Sequence, residues 1–339
     1  MRIEVNSGHA FGDHARGVER LTTSHRGKGA RGLTPAKRNN PAVDEIGAHN
    51  ARMWERLAKA GIPYTRPQGN PPRDAAGKRR FLDRIAFGAL KGLSLQGKRV
   101  LSLAGGGGWD PILFAELGAD TTLVDISATQ LETVRRLARR RGTTLTYLRA
   151  DMRDLSALGS GEFDIIFHQH SLVFVPDAER VIGEVARVLA YGGTYVFSTM
   201  HPVTFLFYEG WTGAGWRPKQ SYFANTPVPV IDPTWDFDDV KVRAPTFEYA
   251  HRAADLVNMC TAAGLIVDGL WEWSPSRAGG PAGSDEALER QLPAFIGLRA
   301  RKPANAANGS RPRTAPPAPP AFAPPPGDSP PTRRRTRGR

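Results

Sequence analysis

The residues best suited to chemistry lie close together in the chain: a run of glycines followed by one carboxylate. Gly105 to Gly108 are four consecutive glycines, and Asp125 stands 20 residues after the first of them. Residues without a Cβ let the backbone approach a ligand, and a helix that begins after them points free N–H groups at it. A carboxylate at this spacing accepts hydrogen bonds from ribose hydroxyls. The combination predicts a nucleotide-like ligand, whereas the alternative is a tight turn with a helix-capping Asp.

The elements around these residues alternate between strand and helix. The apolar run 98–104 predicts a buried strand that leads into the glycines, and Asp110 with Pro111 predicts a capped helix start. Residues 121–126 predict a second strand, after which Ser127 and Gln130 have capping-box spacing. Further strands are predicted over 144–149, 163–168, 194–199, 265–271 and 294–299, and further helices over 50–61, 78–91, 247–263 and from Asp177 to the Gly192-Gly193 pair.

This alternation fixes the expected fold class. Four strand–helix–strand steps in succession imply a doubly wound α/β sheet, in which ligands bind at the carboxyl ends of the strands. We expect a flexible extension over 1–40, a catalytic domain over 41–302 and a disordered Pro/Arg-rich tail over 303–339. Residues 201–245 break the rhythm with many aromatic and proline residues. They predict either a substrate lid or a packing loop.

Composition limits the function classes. The net charge of +13 arises at the ends, since residues 1–40 carry +5, residues 301–339 carry +8 and the rest is neutral. We therefore expect no broad nucleic-acid-binding face, and at most weak binding through the basic tail. A single cysteine, Cys260, excludes a disulfide framework and a Cys-based zinc site. No apolar run is long enough to span a bilayer or to act as a secretion signal, so we expect a cytoplasmic protein.

The glycine loop alone does not identify the nucleotide. An NAD-dependent oxidoreductase requires G-x-G-x-x-G, and counting from Gly105 or Gly106 puts Asp110 or Pro111 at the last position. This class stays an alternative. A noncatalytic protein that binds nucleic acid through its basic tails is a second alternative.

Five motifs in order resemble the class I S-adenosylmethionine-dependent methyltransferases, especially their small-molecule "type 11" group. They are Leu101-Ser-Leu-Ala-Gly-Gly-Gly-Gly108, Leu123-Val-Asp-Ile-Ser127, Ala150-Asp-Met-Arg-Asp154, Phe163-Asp-Ile-Ile-Phe-His168 and Glu184-Val-Ala-Arg-Val-Leu-Ala-Tyr-Gly-Gly193. The resemblance covers about residues 50–200. It implies a Rossmann-like, doubly wound seven-stranded sheet that is mostly parallel with an antiparallel last strand. It also implies S-adenosyl-L-methionine as cofactor and a small-molecule O- or N-acceptor as substrate.

The resemblance also implies residue roles. Gly105, Gly106 and Gly107 would flank the methionine part of the cofactor, and Asp125 would hold the ribose hydroxyls. Around the adenine, Ile126 and Met152 would pack on the ring and Asp151 would accept from its amino group. His168 would line the wall near the sulfonium, and Tyr64 and Arg66 belong to a segment that resembles a cap over the cofactor. Many relatives carry Cys where Gly105 stands.

Histidines are the candidates for a general base. An imidazole has a pKa near neutrality, and a base is needed only when the acceptor must lose its proton early. His170 and His201 are predicted just beyond the carboxyl ends of strands, and we predict that one of them is catalytic. The alternative for each is a hydrogen-bonded histidine with no role in proton transfer.

Overall fold

The computed structural model describes residues 45–237, 239–274 and 280–304. Its helices are α1 (Glu45–Ala60), α2 (Ala75–Ile85), α3 (Asp110–Glu116), α4 (Ala128–Arg141), α5 (Ala178–Val188), α6 (Pro202–Phe205), α7 (Ala253–Ala262) and α8 (Asp285–Glu289). Its strands are β1 (Arg99–Leu103), β2 (Asp120–Asp125), β3 (Thr146–Arg149), β4 (Phe163–Gln169), β5 (Leu189–Met200), β6 (Thr234–Phe237), β7 (Val240–Arg243), β8 (Ile266–Trp273) and β9 (Phe295–Arg301).

Seven of these strands form one sheet in the order β3-β2-β1-β4-β5-β9-β8. The pairs from β3 to β5 are parallel, whereas β9 runs antiparallel to both β5 and β8. The strand order reverses between β1 and β4, which places the crevice for a ligand beside the end of β1. This confirms the expected Rossmann-like fold with an antiparallel last strand.

Helices cover both faces of the sheet. Leu256 and Cys260 of α7 pack with Val181 and Val185 of α5 on one face. On the other face lie α2, α3 and α4, whose apolar residues contact β1, β2, β4 and β5. The near-continuous apolar sequence of the central strands follows from this double burial.

Local signals explain several boundaries. Ser127 caps α4 by accepting from the Gln130 N–H at 3.2 Å, as the capping-box spacing predicts, and Gly142 ends that helix with a φ of 68°. Asp110 behaves differently from the prediction that it caps α3. The cap position is Trp109, and the Asp110 carboxylate accepts a hydrogen bond from the Ser102 hydroxyl at 2.6 Å instead.

Other boundaries also differ from the predictions, since α1 begins at Glu45 rather than at residue 50 and α2 begins at Ala75 rather than at residue 78. The second helix ends at Ile85 rather than near Lys91, and turns follow it. The α7 helix begins at Ala253 rather than at residue 247. The α5 helix ends at Val188 rather than at the glycine pair. Leu189 already pairs with Phe163, so β5 starts there and carries the glycines as a turn within it.

The aromatic insertion is folded onto the body of the protein. Its first part contributes Phe205, Leu206 and Tyr208 to a cluster with Phe295. Its last part forms the β6–β7 hairpin, which packs against Leu57 of α1 and other residues of the amino-terminal part. The predicted extension 1–40 and all but the first two residues of the predicted tail 303–339 lie outside the described residues. None of the helices described is long and apolar enough to cross a membrane.

Candidate active site

The glycine loop and Asp125 meet at the carboxyl ends of β1 and β2. The Gly106 N–H donates to Asp125 Oδ2 at 2.9 Å, and the Ser127 N–H donates to Oδ1 at 2.8 Å. Gly106 has a φ of 49°, in the left-handed region that favours glycine. The glycine loop and the carboxylate that the spacing predicts to lie together are therefore in direct contact, across 19 positions of the chain.

Position 107 of the loop also requires a residue without a Cβ, because the amino-terminal segment lies against it. A Cβ built on Gly107 would lie 2.0 Å from the carbonyl oxygen of Thr65 and 2.8 Å from the Arg66 nitrogen. The segment around Tyr64 thus lies directly on the loop, where the resemblance predicts a cap. Close approach of two backbones is a sufficient reason for glycine at position 107.

The Asp125 carboxylate has capacity for further donors. It is 4% exposed, and burial raises its pKa to about 6 despite the backbone hydrogen bonds from Ser127 and Gly106. An ionised carboxylate offers about four lone-pair sites, and the two short hydrogen bonds use two of them. The Gln130 amide nitrogen lies 3.5 Å away, at the limit of a hydrogen bond. The remaining accepting capacity of Asp125 and the glycine loop beside it fit a nucleoside, whose two neighbouring hydroxyls donate hydrogen bonds.

A buried ion pair occupies the region after β3. Arg153 contacts Asp151 at 2.8 Å and Asp177 at 3.3 Å, and its side chain is only 4% exposed. Asp151 therefore has a permanent cationic partner in addition to the role predicted for it. Met152, which lies between Asp151 and Arg153 in the sequence, is half-buried. Its Sδ atom is 3.8 Å from the Ser171 hydroxyl. Ile126 is also half-buried, and its carbonyl accepts from Arg149.

Helix α1 is tied to the site by a residue that the sequence analysis missed. Glu55 accepts hydrogen bonds from the hydroxyls of Ser127 at 2.7 Å and Thr129 at 2.6 Å. Burial acts against ionisation of Glu55, but these hydrogen bonds outweigh it and lower its pKa. The signal was a lone Glu on an amphipathic helix, which sequence alone does not distinguish from a solvated residue. Arg153 was missed because sequence alone does not distinguish a buried charged residue in a turn from a solvated one.

The cap segment is attached to the hairpin of the insertion. The Tyr64 ring makes edge contacts with Trp235 and Phe237, at centroid distances of 6.0 and 5.5 Å. Arg66 Nη2 pairs with Asp239 at 2.5 Å, and its side chain is 42% exposed. The guanidinium of Arg66 thus points to the hairpin, while its backbone lies on the glycine loop.

His168 is fully satisfied. Its Nδ1 is 2.9 Å from the Tyr195 hydroxyl, and its Nε2 contacts the Ser171 hydroxyl. Burial lowers its pKa to about 3, with a smaller contribution from His170. The ring is therefore neutral at physiological pH, and both nitrogens are already engaged.

His170 and His201 each keep one ring nitrogen without a partner among the described residues, Nδ1 in both cases. His170 has a φ of 55°, which for a residue with a side chain is strained, and burial lowers its pKa to about 4. The Nε2 atom of His201 is held by Glu272 at 2.9 Å. A histidine that one carboxylate orients, with its other nitrogen free, is arranged as general bases are.

Comparisons with known proteins agree with this geometry. The family described as methyltransferase domain matches residues 101–197. The uncharacterized methyltransferase YbaJ of Bacillus subtilis (strain 168) is 31% identical over 245 residues, which span 68% of this chain and 91% of that protein. A ubiquinone biosynthesis O-methyltransferase of Bordetella avium (strain 197N) is 34% identical over 116 residues, and the match covers 34% of this chain and 48% of that protein. The crystal structure of an S-adenosylmethionine-dependent methyltransferase from Mesorhizobium loti superposes with a TM-score of 0.50 at 25% identity, over 64% of this chain and 96% of that one.

Proposed function

Because the chain belongs to the class I S-adenosylmethionine-dependent methyltransferases, we propose that it transfers the methyl group of this cofactor to an oxygen or nitrogen atom of a small molecule. The chain is an enzyme with S-adenosyl-L-methionine as its cofactor. The observation that carries the proposal is the contact between the bare Gly106 backbone and the buried Asp125 carboxylate. Family membership makes the NAD-dependent alternative unnecessary.

The cofactor is held by the residues that the motifs identify. Asp125 would accept from the ribose hydroxyls with the lone pairs that its backbone partners leave free, and the glycine loop would flank the methionine part. The remaining contacts that we propose are those of Ile126 and Met152 with the adenine ring, Asp151 with its amino group, His168 with the wall near the sulfonium, and Tyr64 and Arg66 with the cap. We also propose that Arg66 pairs with the carboxylate of the cofactor. Its guanidinium then has to leave Asp239.

The cofactor, when bound, supplies an electrophilic methyl group on a sulfonium. The protein's own part is to align an acceptor with that methyl group and to exclude water. We propose His201 or His170 as the group that takes the acceptor's proton. Glu272 favours His201, because its carboxylate contacts Nε2 and so orients the ring with Nδ1 left to take the proton.

The size class of the acceptor is inferred from two features. The aromatic insertion packs beside the carboxyl end of β5 and the amino end of β9. The name of the ubiquinone biosynthesis O-methyltransferase reported above supports a small-molecule acceptor, although this chain spans about half the length of that protein. A screen of small hydroxylated and amino compounds with methyl-labelled cofactor identifies the acceptor through label in the product.

Calorimetry with S-adenosylhomocysteine tests the cofactor site. We expect binding by the wild-type chain and at least about ten-fold weaker binding by Asp125→Asn. This variant keeps the shape of the side chain but replaces one accepting oxygen by a donor, so it loses charge-assisted hydrogen bonds.

The matched control is Asp120→Asn, at the exposed start of the same strand, which should bind as the wild type does. Wild-type protein that shows no heat with S-adenosylhomocysteine would contradict the proposal. Equal affinity in Asp125→Asn would remove Asp125 from the site.

A further inference from the structure

Five buried polar atoms have no hydrogen-bond partner within the part of the chain that the structure describes. They are His170 Nδ1, Ser198 Oγ, Thr199 Oγ1, His201 Nδ1 and Trp273 Nε1. All five belong to residues at the carboxyl end of β4, β5 or β8, or directly after it. Since burying a polar group without a partner is costly, their concentration at one edge of the sheet indicates that something polar binds there.

Two of the residues that carry these atoms line one narrow cavity on the α2 side of the sheet. Ser198 and Trp273 face it together with Phe87 and Gln169. A Cβ on Gly297 would lie 2.9 Å from the Trp273 ring, so the indole is in close contact with β9 at this glycine.

His170 is adjacent to this cavity. Its ring centroid is 6.4 Å from that of Trp273 and 4.5 Å from that of Phe295. Three residues with unpartnered polar atoms therefore lie on or beside this cavity, the aromatic slot.

The slot is covered by a side chain that is poorly fixed. The Phe87 ring stacks on Trp273 with a centroid distance of 3.5 Å and an angle of 29° between the planes, yet 37% of Phe87 remains exposed. Its φ of 51° is in the left-handed region, where a Cβ is strained. Phe87 also lies in the turns after α2 rather than in a regular element. A ring held mainly by one stacking contact on a strained backbone is readily exchanged for another ring.

We propose that the Phe87 ring occupies the position of the methyl acceptor's ring, and that the acceptor is a flat apolar ring bearing a neutral oxygen. The inference rests on the proposed function, since it assigns the acceptor to this edge of the sheet. On binding, the acceptor ring displaces Phe87 and stacks on Trp273. Its oxygen then reaches the polar groups that are unpartnered in its absence.

The chemistry of the slot selects this ligand class. The indole N–H of Trp273 only donates, so the ligand must offer an accepting atom, whereas the Ser198 hydroxyl and the neutral His170 ring donate or accept. A protonated amine has no lone pair for the indole. None of the described residues that line the cavity is Lys or Arg, so a neutral oxygen fits better than a carboxylate.

The test uses the full-length chain with ¹⁵N-labelled tryptophan and two probes of matched shape, phenol and toluene. The Trp273 indole resonance is assigned by its loss in Trp273→Phe. We expect phenol to shift this resonance and toluene to bind at least about ten-fold more weakly, because it leaves the polar groups unpaired.

Two variants make the test directional. Phe87→Ala should bind phenol about three- to ten-fold more tightly, because no ring has to be displaced, and Ser198→Ala should bind it more weakly. Tyr191→Ala is the control, since Tyr191 is an exposed aromatic residue in the turn at the other end of β5. It should leave the affinity unchanged.

The proposal is wrong if phenol leaves the Trp273 resonance in place in both the wild type and Phe87→Ala, or if toluene binds equally well. The unpartnered atoms are then simply hydrated. Titration of the same samples with S-adenosylhomocysteine separates the two hypotheses. Binding of the nucleoside without phenol rejects the acceptor slot alone, and binding of phenol without the nucleoside rejects the proposed function.

Discussion

Buried ionisable groups at the carboxyl edge of the sheet favour their uncharged forms. Burial raises the pKa of Asp110 to about 7 and that of Asp125 to about 6, and it lowers the pKa values of His168 and His170 to about 3 and 4. Burial explains all four directions, because it disfavours the charged form of an acid and of a base alike. The two histidines at this edge therefore add no positive charge near a cationic cofactor, and the buried cation Arg153 is paired with Asp151 and Asp177.

Asp110 gives this effect a measurable consequence for stability. Between pH about 4 and 7 the unfolded chain releases the Asp110 proton while the folded chain keeps it, so raising the pH favours unfolding. Asp110→Asn removes the titration and still accepts from Ser102. We expect the variant's advantage over the wild type to grow by about 1 kcal/mol or more from pH 5 to pH 8, or about 2–4 °C in Tm.

Thermal unfolding at the two pH values measures this difference. Asp120→Asn, at an exposed position, should show no such growth. A constant difference between the wild type and Asp110→Asn would mean that Asp110 titrates as it does in the unfolded chain.

Gly107→Ala tests the contact between loop and cap. The added Cβ would collide with the Thr65 backbone at 2.0 Å, so the cap segment has to lift away. We expect S-adenosylhomocysteine affinity to fall at least about ten-fold, because the segment no longer closes the site. Gly183→Ala in α5 is the matched control, since it is also a glycine substitution but its Cβ meets nothing within 4 Å and its φ is not in the left-handed region. Unchanged affinity in Gly107→Ala would show that the cap does not need this contact.

At the scale of elements, α1, the cap segment and the β6–β7 hairpin behave as one packed unit. Trp235 lies at its centre, with edge contacts to Trp54 and Tyr64 and a hydrogen bond from its Nε1 to the Ala244 carbonyl at 3.0 Å. Glu55 ties the same helix to the start of α4. Cofactor binding should therefore depend on the hairpin, although the hairpin is distant in sequence from the glycine loop.

Trp235→Ala tests this dependence. We expect faster amide exchange in the hairpin and in residues 62–66, unchanged exchange in β1, and S-adenosylhomocysteine affinity lower by about three- to ten-fold. Hydrogen exchange read by mass spectrometry, with calorimetry, measures both effects. Ile231→Ala, an exposed residue of the same insertion, serves as control. Faster exchange that is confined to the hairpin would contradict the coupling.

Sequence periodicity predicted the elements whose burial is two-sided and whose caps are local. The strands β1 and β2 and the Ser127 cap follow these predictions, whereas the antiparallel direction of β9 was expected from the family resemblance and not from periodicity. What sequence did not predict depends on contacts between distant residues. The Asp110 carboxylate accepts a hydrogen bond from Ser102, and Arg66 pairs with Asp239. His201 contacts Glu272, which is 71 positions away in the chain. No local pattern encodes such pairs.

At the scale of the whole molecule, the neutral body and the basic ends predict a separation of roles. A chain that ends at Ala304 should bind S-adenosylhomocysteine as the full chain does, because every residue of the candidate site lies in the body. Any binding of DNA should fall with rising salt and disappear with the tail. Calorimetry and fluorescence anisotropy of both chains measure these effects. Loss of nucleoside binding in the shorter chain would contradict the separation.

The position of β9 has a consequence for how the protein is made. This strand inserts between β5 and β8, so β8 has no neighbour and β5 has a bare apolar edge until residues 295–301 arrive. Pairing across such a long stretch of chain is slow, and open strand edges invite association with other chains. A nascent polypeptide stalled before Phe295 should thus be a client for chaperones and proteases, although its nucleoside-binding half is already synthesised.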